Sequence, residues 1–299
     1  LNVPAGYSVA YLQGGATLGF TIAALNMMRE SKKAAYINTG TWASGAIKEA
    51  KKAGIDPQVI TSSEDKQFTY IPKNFEIPSD LDYLHFTSNN TIYGTQFHNF
   101  PKSSLPLVCD MSSDIFSKEV NVGDFDLIYA GAQKNLGPAG ATLYIVKDEV
   151  LGKSTSPFLP SYLDLKNHVE KESMANTPPV FSVFVAMLNL RNLLANGGVK
   201  AKEIENNAKA ALLYNEIDSN PLFSGNVATE DRSKMNVTFK LIDESLNAEF
   251  DAAWKSADIV GLPGHRSVGG YRASMYNALP LSSVKVLVDT MNEFTRTKG

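Results

Sequence analysis

One cysteine in 299 residues leaves no internal disulfide to build on. That thiol, Cys109, lies in the apolar run LPLVCD, where it reads as buried and inert and suits a reducing compartment. Histidine is scarce too: the four are scattered without metal-ligand spacing, so no metal site is expected. Excess charge is also missing. A net charge of −3 and no Lys/Arg cluster argue against a nucleic-acid partner. No apolar run reaches the length of a bilayer span and no signal-peptide pattern opens the chain, so no membrane partner and a cytoplasmic location are expected. Repeats and low-complexity tracts are absent. The chain begins at Leu1 rather than at a methionine, as if entered partway into a longer sequence.

What is present is a globular balance, 43% apolar and 20% charged, in a chain long enough for a large core and two domains. Short apolar runs alternate with helical patterns over the first two-thirds. SVAYL, AAYIN, PQVIT, YLHFTS, LPLVCD, FDLIYA and ATLYIV read as strands; ATLGFTIAALNMMRE and TWASGAIKEAKKAG read as helices. This alternation predicts an α/β fold: a large, mostly parallel sheet covered on both faces, with ligands at the carboxyl ends of its strands. After the long helical pattern VFSVFVAMLNLRNLLANGG the character changes. A charged amphipathic helix, the strand MNVTFKLI, a helix around AEFDAAWKSA, a glycine-rich stretch and a final helix predict a smaller α+β domain. The expected division is 1–198 and 199–299.

The candidate chemistry sits at strand ends. In DLIYAGAQKNLGPAG an apolar strand runs into a stiff bend that carries Lys134. It is either a solvated turn lysine or an amine desolvated enough to form a Schiff base. In LQGGATLGF two glycines precede a helix whose free N–H groups, with the Thr17 hydroxyl and the amides of Ala16 and Thr17, suit a phosphate. The second strand ends in Asn38 and Thr39, without the acidic residue a dinucleotide site would want. Trp42, opening the next helix, is either packed at a domain edge or a platform for a planar ring. Asp110 closes the strand LPLVCD and is either a cap near Ser112 and Ser113 or the partner of a protonated pyridine nitrogen. Phosphate loop, aromatic, aspartate and lysine in that order describe a pyridoxal phosphate site. In LPGHRSVGGYRASMYNALP, His265, Arg266 and Arg272 share one glycine-rich stretch, which is either a solvated basic loop or a clamp on a substrate with more than one anionic group.

With those residues read, the chain resembles the phosphoserine aminotransferases, class V, fold-type I pyridoxal phosphate enzymes. The likeness runs from GGATLGF through TGTW, SNNTIYGTQF, VCDMSSDIFS, IYAGAQKNLGPAG and NTPPVFS to GHRSVGGYRASMYNA, essentially the whole chain. The resemblance implies Lys134 as the Schiff-base lysine and proton shuttle, Asp110 on the pyridine nitrogen, Trp42 stacked on the ring and Thr91 on its phenolic oxygen. Ala16, Thr17 and Gln133 would hold the cofactor phosphate. Asn176 and Thr177 would reach the cofactor phosphate of a neighbouring subunit, which implies a homodimer. His265 and Arg266 would clamp the substrate phosphate, and Arg272 its α-carboxylate. The implied reaction is transamination between phosphoserine with 2-oxoglutarate and 3-phosphohydroxypyruvate with glutamate, in serine biosynthesis. Activity on 4-phosphohydroxy-threonine, in pyridoxine biosynthesis, stays open. Two departures stand out: the family's additional His-Arg pair from an N-terminal segment has no counterpart here, and some relatives carry arginine where this chain has Thr17. Desulfurase or lyase chemistry is the rival within enzymes, against which the strand position of Cys109 argues. A catalytically dead cofactor-binding scaffold is the other rival, against which Lys134, Asp110 and Trp42 argue together.

Overall fold

The structure is a computed structural model and describes residues 1–298. Strand β1 (Tyr7–Gly14) leads into helix α1 (Ala16–Met27), and β2 (Lys33–Asn38), α2 (Thr41–Lys52) and β3 (Asp56–Ser62) continue the alternation. Then come β4 (Leu84–Thr87), a small ribbon of β5 (Asn89–Asn90) and β6 (Thr95–Gln96), and β7 (Leu107–Asp110), β8 (Leu127–Gly131) and β9 (Gly140–Lys147). Helices α3 (Leu165–Glu170), α4 (Val180–Ala195) and α5 (Gly198–Ser219) follow. The chain closes with β10 (Phe223–Ser224), β11 (Asn236–Leu241), α6 (Asn247–Ser256), β12 (Tyr271–Ser274) and α7 (Leu281–Lys298).

All seven strands expected of the first two-thirds join one sheet, in the order β1-β9-β8-β7-β4-β2-β3. Only β9 runs against its neighbours; the other pairings are parallel. Side chains alternate between the two faces, as the pleat requires. Ala34 and Tyr36 of β2 join Val108, Leu127 and Tyr129 under α1 and α2, while Ala35 and Ile37 join Phe86, Cys109 and Ile128 on the opposite face. Both faces are covered, which is why the strands read as near-continuous apolar runs. Helix α1 is apolar nearly all round because it lies between the sheet and α2, and residues 19, 20 and 22–27 are buried. At roughly 1.5–3 kcal/mol for each large apolar side chain removed from water, this layer anchors the strand ends above it. Burial also pushes the Cys109 thiol well up, so it stays protonated.

A second, three-stranded antiparallel sheet, β10-β11-β12, packs on α5, α6 and α7 around Ile217, Phe239, Phe250, Tyr271 and Met291. Strand β12 lies inside the stretch that sequence marked only as glycine-rich. It alternates buried Tyr271 and Ala273 with outward Arg272 and Ser274, but four residues are too few to reveal that period. Helix α4 differs from α1. It is as apolar, yet Val180, Phe181, Phe184, Leu188 and Leu194 are exposed, with Phe181 at 72%. No single helix among the described residues is long and apolar enough to cross a membrane.

Candidate active site

The carboxyl ends of the central strands converge on Lys134. Its turn, between β8 and β9, is pinned where the Ala132 amide donates to the Ala141 carbonyl at 2.9 Å and the Gly137 amide to the Ala132 carbonyl at 2.7 Å. The half-buried Lys134 sends Nζ to Thr91 Oγ1 at 2.9 Å. Thr91 sits in the tight β5–β6 turn, which the sequence did not mark as a ribbon. Burial lowers the Lys134 amine from its ordinary range. Asp110 and Asp114 oppose that, and the Arg272 cation adds to it.

Asp110 ends β7 on the face shared with Tyr129 and is buried. Its Oδ1 accepts from the Ser112 amide at 2.9 Å and the Ser112 hydroxyl at 2.5 Å, while Oδ2 receives no bond from a described residue. The cap with Ser112 and the free oxygen coexist, so the two readings of Asp110 do not compete. Burial raises its carboxyl, and Ser112 and then Lys134 pull it back toward the ionised form. Beneath it lies a buried layer: His85 Nε2 pairs with the Tyr129 hydroxyl at 2.8 Å, and Tyr36 and Tyr83 pair at 2.6 Å. Burial pushes His85 down to about 3, so this imidazole is neutral.

At the neighbouring strand end, α1 starts after Gly15 with no side-chain cap and no acidic residue in its first turn. The first intrahelical bond runs from the Gly19 amide to the Gly15 carbonyl at 3.1 Å, which leaves the amides of Ala16, Thr17 and Leu18 without a helical acceptor. Gln133 closes on the same spot: a Cβ on Gly131 would meet Gln133 Oε1 at 2.6 Å and the Ala16 nitrogen at 3.3 Å. Trp42, second residue of α2, is 37% exposed at this end of the sheet. Its neighbour Thr41 pairs through Oγ1 with the Tyr93 hydroxyl at 3.2 Å, two residues beyond Thr91.

Arg272 reaches in from β12. Its Nη1 lies 3.5 Å from the Thr91 carbonyl, and its Nε is buried without an acceptor. Thr91 thus touches both Lys134 and Arg272. His265 and Arg266 are not brought to this cluster within the chain. They occupy the turn between Pro263 and Tyr271, where His265 Nδ1 accepts from the Ser267 amide at 3.2 Å and pairs with its hydroxyl, and Arg266 is exposed. Asn176 and Thr177 lie beside the end of β1, where the Thr177 carbonyl accepts from Gln13 Nε2 at 2.8 Å and from Asn176 Nδ2 at 3.0 Å.

Some residues at the site carried no single-residue signal. Asp114 accepts from Ser88 and, at 3.0 Å, from Gln96 Nε2; Asn89 Nδ2 donates to Ser113 Oγ at 2.8 Å and Asn236 Oδ1 at 2.9 Å. Lys209, fully buried on α5, donates to the carbonyls of Met275, Tyr276 and Leu279 at 3.0–3.1 Å. Its signal was available: 206, 209, 210, 213 and 217 form the buried stripe of that helix, and a lysine on such a stripe needs partners.

Comparison with known proteins shows the family. The family model for class-V aminotransferases matches residues 1–287. A phosphoserine aminotransferase of Flavobacterium johnsoniae is 59% identical over 286 residues, which are 96% of this chain and 80% of that protein. The solved phosphoserine aminotransferase of Bacillus circulans subsp. alkalophilus superposes with a TM-score of 0.94 at 43% identity, covering 99% of this chain and 82% of that one. A pyridoxal phosphate-bound phosphoserine aminotransferase of Trichomonas vaginalis gives a TM-score of 0.92 at 33% identity, over 98% and 84% of the two chains. The chain belongs to the class-V aminotransferases, in the phosphoserine aminotransferase family.

Proposed function

We propose that the chain catalyses reversible transamination between phosphoserine with 2-oxoglutarate and 3-phosphohydroxypyruvate with glutamate, the phosphoserine-forming step of serine biosynthesis, in the cytoplasm. The observation that carries this reading is Lys134, an amine lowered by burial and held 2.9 Å from Thr91, with Asp110 and Arg272 near enough to act on its charge. The residues present suit pyridoxal 5′-phosphate. The unbonded first-turn amides of α1 fit a phosphate, Asp110 Oδ2 is free for a ring nitrogen, and Trp42 offers an exposed face. When bound, the cofactor supplies the electron sink that makes an α-proton acidic.

The chain's own residues then have distinct work. Ala16, Thr17 and Gln133 would hold the cofactor phosphate, Trp42 would face the ring and Thr91 would serve its phenolic oxygen. Asp110 Oδ2 would accept from the ring nitrogen and favour its protonated form. Lys134 would hold the cofactor through Nζ, and that same amine is placed to move the substrate α-proton. Arg272 grips the substrate carboxylate with its planar fork, and His265 and Arg266 take the substrate phosphate.

The same reading includes a homodimer. The exposed apolar face of α4 suits a second copy, and Asn176 and Thr177, beside the end of β1, would reach its cofactor phosphate. It also includes a large domain over 1–198 and a small one over 199–299. Because the phosphate and carboxylate clamps would serve 4-phosphohydroxy-threonine equally, a role in pyridoxine biosynthesis belongs to the reading. The test is an absorption spectrum with pyridoxal phosphate, followed by phosphoserine. A visible band that requires Lys134 and bleaches with phosphoserine, far less with serine, is expected. No band, or a band that survives in Lys134→Ala, overturns the proposal.

A further inference from the structure

Two asparagines sit in the two most distinctive motifs, and the fold brings them together. Asn135 follows Lys134 in AGAQKN, and Asn277 follows β12 in ASMYNA. Asn135 Oδ1 accepts from the Asn277 amide at 2.9 Å, and its Nδ2 donates to the Ile115 carbonyl at 3.0 Å and meets Met235 Sδ at 3.7 Å. One side chain therefore ties the turn of Lys134 to the segment after Asp110 and to the segment after Arg272.

Asn277 is anchored in turn through every polar atom it has. Its Nδ2 donates to the Phe116 carbonyl at 2.9 Å, and its Oδ1 accepts from Asn206 Nδ2 at 2.9 Å. Its own carbonyl accepts from Lys202 Nζ at 3.2 Å. Phe116 holds φ +60, a conformation that a bulky side chain adopts only when its surroundings impose it. The three Lys209 bonds fix the backbone on either side of Asn277. This arrangement fixes where one part of the site stands relative to another.

We propose that Asn135 is a positioning residue that sets the spacing between Lys134 and Arg272, acting through the backbone of Asn277. The proposal rests on the roles assigned above to Lys134 and Arg272. Thr91, touched by both, gives one point of reference between them, and Asn135 gives a second. The charged and titratable groups facing Lys134 are Asp110 and Asp114 from the segment after β7, Arg272 from β12, and the Tyr276 hydroxyl beside Thr91. Of these, only Arg272 pushes the amine down by its charge, so letting β12 drift away raises it.

The experiment follows pyridoxal phosphate uptake by the cofactor-free chain as a function of pH, since only the unprotonated amine reacts. In Asn135→Ala the midpoint should move up by roughly 0.5–1 unit, the range expected when a nearby charge recedes. Arg272→Met should move it the same way, and the double variant no further, because the second change has nothing left to act on. Asn277→Ala, which frees the same segment less completely, should give a smaller shift in the same direction and serves if Asn135→Ala folds poorly. Met235→Leu disturbs packing at the same spot without touching Asn277 and should leave the midpoint in place. A full extra shift in the double variant, or an equal shift in Met235→Leu, overturns the positioning role. If the unaltered chain takes up no cofactor through Lys134, the assignment of the site itself falls, and this inference with it.

Discussion

Arg272→Met should separate stability from activity with opposite signs. The guanidinium has little to bind in the protein: Nε is buried without an acceptor, and Nη1 reaches the Thr91 carbonyl only at 3.5 Å, the outer limit for a hydrogen bond. A buried donor left unsatisfied costs about 1–3 kcal/mol, so an apolar side chain of similar reach should leave the melting temperature unchanged or higher. Catalysis should move the other way. Losing one partner of a buried, hydrogen-bonded charge pair costs roughly 2–5 kcal/mol, which at about 1.4 kcal/mol per factor of ten is ~30-fold to a few thousand-fold in kcat/KM for phosphoserine. Arg272→Lys should recover only part, because a point charge cannot reproduce a two-point grip. Thermal melting of the cofactor-free chain and steady-state kinetics provide the two readouts. A melting temperature that drops by several degrees, with activity falling in proportion, would show that the arginine is a structural residue and refute the carboxylate assignment.

Three further outcomes follow from geometry already described. His85 is neutral in the fold, near 3, against an ordinary value of 6.5; between those pH values the unfolded chain takes up a proton that the folded chain refuses. Stability should therefore fall on acidification from pH 6.5 toward 3, by up to about 5 kcal/mol from this residue. Urea unfolding across that window should be less pH-dependent in His85→Phe, and identical slopes would contradict the assignment. A Cβ on Gly19 would stand 2.7 Å from Cδ2 of the buried Tyr129 ring, so Gly19→Ala should destabilise by about 1–3 kcal/mol in denaturant titration. A neutral or stabilising result would mean that the ring can yield. Phe181→Glu combined with Phe184→Glu places charge on the exposed face of α4 and should convert a dimer to a monomer in sedimentation. A dimer that survives locates its interface elsewhere.

The strand–helix alternation carried the main sheet because each central strand is buried on both faces and so appears as an uninterrupted apolar run, with glycine-rich bends between. Asn89–Asn90 and Thr95–Gln96 escaped notice because a ribbon of two-residue strands leaves no periodicity. Asp110 drew attention at the end of an apolar strand, Lys134 in the stiff bend past one, and Trp42 after a glycine at the opening of a helix. The convergence of Thr91, Lys134 and Arg272 could not be read that way. It joins positions 43 and 181 residues apart, and such a meeting follows from how β12 docks on the β5–β6 turn rather than from any local pattern. The two asparagines, in plain view within their motifs, have meaning only once that docking is known. The closed turn that holds His265 and Arg266 between Pro263 and Tyr271 is likewise a property of the folded molecule.

The reversal of β9 has a consequence for the entropy of catalysis. A parallel successor to β8 would have required a crossover of a dozen or more residues over one face of the sheet. Because β9 doubles back, residues 132–139 are a short closed loop whose two ends are held in adjacent register, Gly131 against Thr142. The loss of freedom that closing such a loop entails is therefore incurred once, when the protein folds. At each turnover Lys134 has only its own side-chain rotamers to restrict, and the backbone beneath it has already been ordered.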